Sequence, residues 1–228
     1  AVGPRDGELI VRESGRGAGR KGLGFQVFTA PLVAGARVFV LGSDRSVSAF
    51  DAKNGAKLWS QTRPGDPLVL RQQGVLVAQG DTLVVGQSGR LVGMNPDTGT
   101  VRWEAPIASS RGTNDVERLV ELVGPVSRVD TSVCVRAFQA AVGCVNTARG
   151  TVDWVQKASS GQGVHGNDQV LFGTESNGTV VAWRRTDGSR LWTSERLQHR
   201  KLTAPLALGR SVVVGDETGW VHLLSRED

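Results

Sequence analysis

The side chains best able to do chemistry in this 228-residue sequence do not form a catalytic or metal-binding pattern. The three histidines lie far apart, without the short spacing of metal ligands; they are His165, His199 and His222. Several acids occupy turn sequences, where a carboxylate accepts backbone hydrogen bonds; they are Asp51, Asp97, Asp187 and Asp216. The sequence has no Gly-x-Ser-x-Gly nucleophile motif and no phosphate-binding loop. We therefore predict that the chain is not an enzyme and that it uses no cofactor and no metal.

The two cysteines, Cys134 and Cys144, lie in apolar, strand-like runs on either side of a predicted turn. The turn places them on neighbouring strands, in a register that we expect to be diagonal and not directly opposite. Two core thiols and one disulfide are equally compatible with that placement. The cysteines alone therefore do not indicate a redox compartment.

The formal net charge of +5 arises from basic residues scattered through predicted turns. Examples are Arg37, Arg90, Arg149, Arg184 and Arg185. They form no stripe with interleaved aromatic residues, which a nucleic-acid groove requires. We expect a solvated basic surface and no nucleic-acid partner. No stretch approaches the roughly 18 apolar residues of a membrane-spanning helix, and the first residues lack the regions of a signal peptide, so we expect the visible chain to be soluble.

An internal repeat is the main feature of the sequence. In four segments a glycine precedes a tryptophan by four positions, and the tryptophans follow one another at intervals of about 40 to 50 residues. These four repeats end at Trp59, Trp103, Trp154 and Trp192. The sequence Thr-Ala-Pro-Leu at 29–32 also recurs at 203–206, four periods further along. The regular spacing predicts one structural unit per repeat.

Each repeat has the pattern of a small antiparallel sheet. Residues 38–41 are a buried strand, 43–46 a turn and 47–50 the returning strand, and residues 51–55 make a second turn before the strand with Trp59. No window shows a sustained helical period. Such a sheet cannot bury both faces alone, so radial stacking of the sheets is expected. We predict an all-β fold, a β-propeller of four-stranded antiparallel blades of the PQQ and WD40 type.

The tryptophans are expected to hold the blades together. One tryptophan at a fixed offset from a turn in each repeat favours burial of its ring against the neighbouring blade, with a partner for its N–H. We therefore assign a structural blade-docking role to Trp59, Trp103, Trp154 and Trp192.

The ends of the chain contain partial repeats within a single propeller domain over residues 1–228. Residues 7–20 look like the back half of a blade, with Gly19 where a tryptophan is expected, and residues 203–228 look like a front half. Because an open edge strand invites pairing, the two halves either join into a fifth blade or belong to a larger ring. We favour the larger ring, with about five blades in this chain.

The repeat Ala-x-Asp-x-x-x-Gly-x-x-x-Trp resembles the one shared by pyrroloquinoline-quinone (PQQ) dehydrogenases and the BamB family, the β-propeller lipoproteins of the bacterial outer-membrane β-barrel assembly machinery. Two longer segments are similar to the BamB family: the long inter-blade loop at 111–121, and residues 197–206 followed by 212–222. The resemblance runs from about residue 24 to residue 228 and implies an eight-bladed ring. It also implies a non-enzymatic scaffold at the periplasmic face of the outer membrane, held by a lipid anchor in the full-length protein.

The resemblance further implies a partner and a site. The family binds a POTRA domain of the barrel-inserting protein BamA and is thought to assist unfolded outer-membrane proteins. Its Leu-x-Leu-Arg contact loop matches Leu68, Leu70 and Arg71 here, and the first of its two contact acids matches Glu121. The second acid is replaced by Val123. From residue types alone, Leu68 and Leu70 are better interpreted as ordinary strand residues that lead into residues 75–77, and the resemblance reverses that preference.

The alternative function is a PQQ-dependent quinoprotein dehydrogenase. Such an enzyme needs oxygen ligands for Ca²⁺ that converge from several blades beside the quinone. The sequence has no adjacent cysteine pair and no Cys-x-x-Cys-His haem site, which many of those enzymes contain. We therefore favour the binding scaffold.

Overall fold

The computed structural model of the protein describes residues 2–3, 8–13, 16–63, 69–109 and 120–227, with side chains described from residue 22 onward. These residues form strands, turns and loops, and no helix occurs among them. The predicted all-β fold is confirmed: six antiparallel sheets follow one another along the chain, and in each sheet every strand pairs with the next one in sequence.

The six sheets are called blades 1 to 6 here. Four of them, blades 2 to 5, have four strands each. Blade 2 comprises β4 (Leu32–Ala34), β5 (Arg37–Leu41), β6 (Val47–Asp51) and β7 (Lys57–Gln61). Blade 3 comprises β8 (Leu76–Gln79), β9 (Thr82–Gln87), β10 (Arg90–Met94) and β11 (Val101–Pro106). Blade 4 comprises β12 (Leu122–Val129), β13 (Ser132–Ala137), β14 (Ala141–Asn146) and β15 (Thr151–Lys157). Blade 5 comprises β16 (His165–Gly166), β17 (Val170–Thr174), β18 (Val180–Arg184) and β19 (Arg190–Ser194).

The two other sheets have three described strands each. Blade 1 comprises β1 (Val2–Gly3), β2 (Glu8–Glu13) and β3 (Arg16–Gly22), and blade 6 comprises β20 (Leu206–Leu208), β21 (Ser211–Gly215) and β22 (Val221–Ser225). The partial repeat expected at 7–20 overlaps β2 and β3 of blade 1, and the one expected at 203–228 contains all three strands of blade 6.

The core lies between the blades, in their middle strands. In blade 4, five of the six residues of β14 are buried, whereas most of β15 is exposed. A strand covered on both faces is a continuous apolar run instead of an alternating one, which is why β9, β13 and β14 are so rich in valine. First strands of successive blades contact each other, as β4 does with β8 and β16 with β20. The sheets are therefore stacked side by side around one axis.

The turn between the third and fourth strands ends at the repeat glycine, and the residue four positions earlier is Asp51 in blade 2 and asparagine in blades 3 and 4. In blade 2 an Asp51 Oδ1 accepts hydrogen bonds from the N–H groups of Lys53 and Asn54 at 2.8 and 3.0 Å, and Gly55 closes the turn with a φ of 70°. A positive φ is accessible to glycine without steric cost. In blades 2 to 5 the pairing register shifts at the same place, just before this turn.

The strand order divides the connections between two faces of the propeller. Because each blade is an antiparallel meander, the turns between its second and third strands lie on the same side as the connections to the next blade. We call this side the loop face; its described residues are 23–31, 42–46, 62–63, 69–75, 88–89, 107–109, 120–121, 138–140, 158–164, 175–179, 195–205 and 216–220. The turns that contain the repeat glycine lie on the opposite face.

Cys134 and Cys144 form a disulfide, with an S–S distance of 1.89 Å. They face each other directly in the pairing of β13 with β14, so the expected diagonal register was wrong. The turn between the two strands, residues 138–140, sets this register. The sequence did not specify its length closely enough to place the two sulfur atoms opposite each other.

Candidate partner-binding site

The tryptophans of the repeat tie each blade to the next one. The indole Nε1 of Trp59 donates to the Pro96 carbonyl of blade 3 at 3.0 Å, and that of Trp154 donates to the Arg185 carbonyl of blade 5 at 2.7 Å. Trp192 donates in the same way to the Arg226 carbonyl at 3.0 Å. We expect all four tryptophans to be mostly buried, and the ring of Trp154 has the lowest exposure, at 7%. The rings of Trp59, Trp103 and Trp192 are half-buried.

The repeat glycine packs on the tryptophan of the preceding blade, not on its own. A Cβ added to Gly188 would lie 2.4 Å from the Trp154 ring, and one added to Gly99 would lie 2.6 Å from the Trp59 ring. Real Cβ atoms do not approach ring atoms this closely, because packed interiors leave no such space. Within one repeat, the glycine therefore contacts the preceding blade and the tryptophan contacts the following blade.

The structure brings two of the predicted contact residues together on the loop face. Leu70 follows blade 2 and Glu121 precedes blade 4, and both line one small cavity of about 40 Å³. Leu70 is half-buried, Arg71 beside it is exposed, and Leu68 lies outside the described residues. The expected apolar anchor and cation are thus neighbours at the edge of a pocket.

The loop containing Leu70 is fastened at its C-terminal end. The Gly74 N–H donates to Thr29 Oγ1 at 2.9 Å, and the Gln73 carbonyl accepts from the Gly124 N–H at 3.0 Å. Gln72 Nε2 reaches the Gly161 carbonyl at 3.3 Å. These bonds connect the loop to blades 4 and 5, so it is held at several points before β8 begins. No sequence signal identified these bonds, because their partners are remote along the chain.

Glu121 is placed differently from what the resemblance implied. Its side chain is only 21% exposed, and its Oε1 lies 2.8 Å from Nη2 of Arg45. Burial raises the pKa of Glu121, while the positive charge of Arg45 acts in the opposite direction. Val123, at the position of the family's second acid, is 1% exposed in β12. A carboxylate there would lie in the core, which explains why this chain has an apolar residue instead.

Two arginines share one carboxylate at the outer rim of blades 2 and 3. Arg63 contacts Glu104 Oε1, and Arg90 Nη1 lies 3.4 Å from Glu104 Oε2. The hydrogen bond from Arg63 is the main cause of the lowered pKa of Glu104. Since two cations meet one anion, this part of the rim has a net positive charge.

Arg185 was expected to be a solvated turn residue, and that expectation was wrong: it is only 4% exposed. Its Nη1 donates to Ser127 Oγ at 2.7 Å and its Nη2 to the Ser127 and Ser132 carbonyls at 3.1 and 3.0 Å. The side chain thus extends from blade 5 into blade 4. Most of its partners are backbone carbonyls. Every residue has a carbonyl, so the sequence does not show which of them an arginine contacts.

A wider groove lies further around the loop face. It has a volume of about 830 Å³ and is formed by the ends of blades 3, 4 and 5, with Ile107, Val120, Phe138 and Val155 among its apolar residues and Lys157 and Glu175 among its charged ones. Across the described ranges, no three histidine, cysteine or acidic side chains cluster as metal ligands. In the same ranges no helix is long and apolar enough to cross a membrane.

These features define the class, a β-propeller whose blades are joined by tryptophans and whose loop face contains a small apolar and ionic pocket. A family model described as outer membrane protein assembly factor BamB matches residues 1–194. The chain therefore belongs to the BamB family.

Among curated relatives, the outer membrane protein assembly factor BamB of Bordetella pertussis is 35% identical over 231 residues, covering 100% of this chain and 60% of that protein. The chain thus spans about 60% of the length of this relative. The crystal structure of BamB from Moraxella catarrhalis superimposes with a TM-score of 0.91 at 24% identity, over 98% of this chain and 69% of the other.

The quinohemoprotein alcohol dehydrogenase of Comamonas testosteroni matches less well. Its TM-score is 0.65 at 13% identity, over 90% of this chain and 42% of the other. At that identity the likeness shows a shared fold and nothing about chemistry. The relatives that match in sequence are named as assembly factors.

Proposed function

We propose that this chain acts as a non-enzymatic scaffold of outer-membrane protein assembly and that its loop face docks a POTRA domain of BamA. One observation supports the site above all: Leu70 and Glu121 come from connections on either side of blade 3, yet they line the same pocket. Arg71 lies exposed beside it. The pocket has room for about one methyl-sized group, as its volume of about 40 Å³ is close to that of one water molecule.

The chemistry of this surface suits a protein partner. A partly exposed leucine next to an arginine provides an apolar anchor with a cation at its rim, and such residues dominate the energetics of interfaces. Exposed apolar groups on a fixed loop are favoured where another surface covers them. The nearby excess of arginines, Arg63 and Arg90 around Glu104, favours a partner with acidic groups at the corresponding rim.

The proposed location is the periplasmic face of the outer membrane. The disulfide between Cys134 and Cys144 supports it, because disulfides persist in oxidising compartments such as the periplasm. The lipid anchor of the full-length protein and the contact with unfolded outer-membrane proteins stay predictions from the family. The quinoprotein alternative is not favoured by any observation, since its likeness is one of fold alone.

The test is a calorimetric titration of variants against the purified POTRA domains of BamA from the same organism. Leu70→Ala and Arg71→Ala should each weaken binding by about 2 kcal/mol, near thirtyfold, because both belong to the anchor. Leu58→Ala and Arg149→Ala are matched controls, since these residues are exposed away from the loop face. The controls should bind like the original chain.

Circular dichroism is the folding control for each variant. If Leu70→Ala and Arg71→Ala bind like the controls, the site is wrongly assigned. If they unfold the chain, both residues belong to the core and the docking role is lost. If the original chain does not bind any POTRA domain, the proposed partner is wrong.

A further inference from the structure

Glu121 is mostly buried and pairs with a side chain of the protein itself. Its carbonyl oxygen accepts a hydrogen bond from the Phe138 N–H at 2.8 Å, so its backbone is fixed to the turn of blade 4. Its side chain extends the other way, to Arg45 in the turn of blade 2. Glu121 therefore crosses above blade 3 and joins the two blades on either side of it.

Arg45 connects the same region from the other direction. It lies in the left-handed region with a φ of 64°, and its N–H donates to the Gly42 carbonyl at 3.1 Å. The Arg45 carbonyl accepts from Gln87 Nε2 at 3.3 Å, and its Nη1 donates to Ser88 Oγ. One arginine therefore contacts the turn of blade 3 with two groups while its Nη2 faces Glu121.

Both side chains lie in the wall of the pocket that Leu70 enters. The cavity is lined by Val69, Leu70 and Gln72 on one side and by Arg45, Gln87 and Glu121 on the other. The exposed fractions of the Arg45 and Glu121 side chains are 12% and 21%. A cation of a partner that approached Glu121 Oε1 would compete with Arg45, whose Nη2 already lies 2.8 Å from that atom, and would lose part of its own water in doing so.

We propose that Glu121 is a positioning residue: with Arg45 it braces the pocket beneath Leu70, and it does not itself bind a cation of the partner. This inference rests on the proposed docking function. The partner would contact Leu70 and Arg71. The ion pair would hold the turns of blades 2 and 3 and the connection to blade 4 in the geometry that the loop containing Leu70 requires. Loss of either charge removes the ion pair and leaves the other charge in a poorly solvated site without its opposite charge.

The experiment is a double-mutant cycle on binding to the POTRA domains, with Glu121→Gln, Arg45→Met and the double variant. Each single change should weaken binding by about tenfold, and the double variant should bind no more weakly than the weaker single variant, because both remove one interaction. The swapped pair, Arg45→Glu with Glu121→Arg, should recover part of the lost affinity. Asp97→Asn is the matched control, since it breaks an ion pair between blades 2 and 3 on the opposite face.

A different pattern would overturn the proposal. If Glu121→Gln weakens binding while Arg45→Met leaves it unchanged or strengthens it, Glu121 contacts the partner directly. Additive losses in the double variant would lead to the same conclusion. If Arg45→Met fails to fold, Glu121→Gln and the swapped pair still decide, because a brace requires the swap to bind more tightly than Glu121→Gln.

Amide hydrogen exchange of the free chain separates this inference from the docking proposal. Residues 69–74 and 86–89 should exchange faster in both single variants and recover in the swapped pair, with no change in Asp97→Asn. Unchanged exchange in both single variants would show that no brace exists, whatever the binding data. If the original chain does not bind the POTRA domains, the proposed partner fails, and the exchange data still decide whether the ion pair orders the pocket.

Discussion

The interface between blades 2 and 3 and the one between blades 4 and 5 share the same apolar design and differ in their polar contacts. In both, a tryptophan of one blade packs under the repeat glycine of the next and donates its N–H to a carbonyl there. Between blades 2 and 3, the ion pair on the face opposite the loop face is partly exposed: the Arg37 and Asp97 side chains have exposed fractions of 33% and 63%.

Between blades 4 and 5 the charged contacts are buried. The Arg136 side chain has no exposure, and its Nη1 lies 2.9 Å from Glu175 Oε1. Its Nη2 donates to the Thr174 carbonyl at 3.1 Å, and its guanidinium carbon is 5.7 Å from the centre of the Trp183 ring. Burial lowers the pKa of Arg136, and the nearby Glu175 opposes that shift. Arg185 extends in the reverse direction, from blade 5 into blade 4.

The difference shows that burial, and not the number of ion pairs, decides how much a charged contact contributes to stability. An exposed pair contributes little, because water and salt screen it and two long side chains must be ordered. A buried pair is costly to break, since its remaining member loses its only compensation. The Arg37–Asp97 pair between blades 2 and 3 is thus open to water on the face opposite the loop face, whereas the contacts of Arg136 and Arg185 fix blades 4 and 5 relative to each other.

The largest expected effect is at Arg136. Arg136→Ala should lower the free energy of unfolding by about 4 kcal/mol, because Glu175 would lose its guanidinium partner at a site with little water. Urea denaturation measures the loss, and Arg149→Ala, which breaks an exposed pair in the same blade pair, is the control. A loss below about 1 kcal/mol would place Arg136 among the surface pairs.

The tryptophans should show a smaller difference between the two interfaces. Trp154→Ala should cost about 4 kcal/mol through the cavity that it leaves, and Trp59→Ala about half as much because its ring is only half-buried. Trp220→Ala, at a ring with 68% exposure, is the control and should change the melting temperature little. Equal losses at Trp59 and Trp154 would mean that burial in the free chain does not govern blade docking.

The smallest effect is expected at the exposed pair of blades 2 and 3. Asp97→Asn should lower the free energy of unfolding by less than about 1 kcal/mol, and added salt should reduce the difference further. The same urea experiment at low and high ionic strength measures it. A loss comparable to that of Arg136→Ala would remove the contrast between the two interfaces.

The sequence was sufficient for the architecture because the information is local and repeated. The turn with the repeat glycine, the apolar middle strands and the tryptophan each depend on a few neighbouring residues, and four copies of the glycine and tryptophan pattern made the repeat visible. Leu70 and Arg71 were found through the family resemblance; the structure places Leu70 in the wall of a pocket and leaves Arg71 exposed next to it. The repeat could not show that each glycine serves the tryptophan of the preceding blade, since that pairing exists only between stacked sheets.

What only the tertiary structure decided is the environment of the charges. Arg45, Arg136 and Arg185 are ordinary turn or strand residues in the sequence, and nothing local distinguishes them from the exposed Arg149 and Arg184. Their roles depend on which carboxylates, carbonyls and rings the neighbouring blades bring to them, and on how much water those blades exclude. The sequence alone determined how each blade folds, whereas the stacking of blades determined that Glu121 meets Arg45. The register of β13 against β14 within blade 4 determined that Cys134 lies directly opposite Cys144, because partners across paired strands are set by register and not by spacing along the chain.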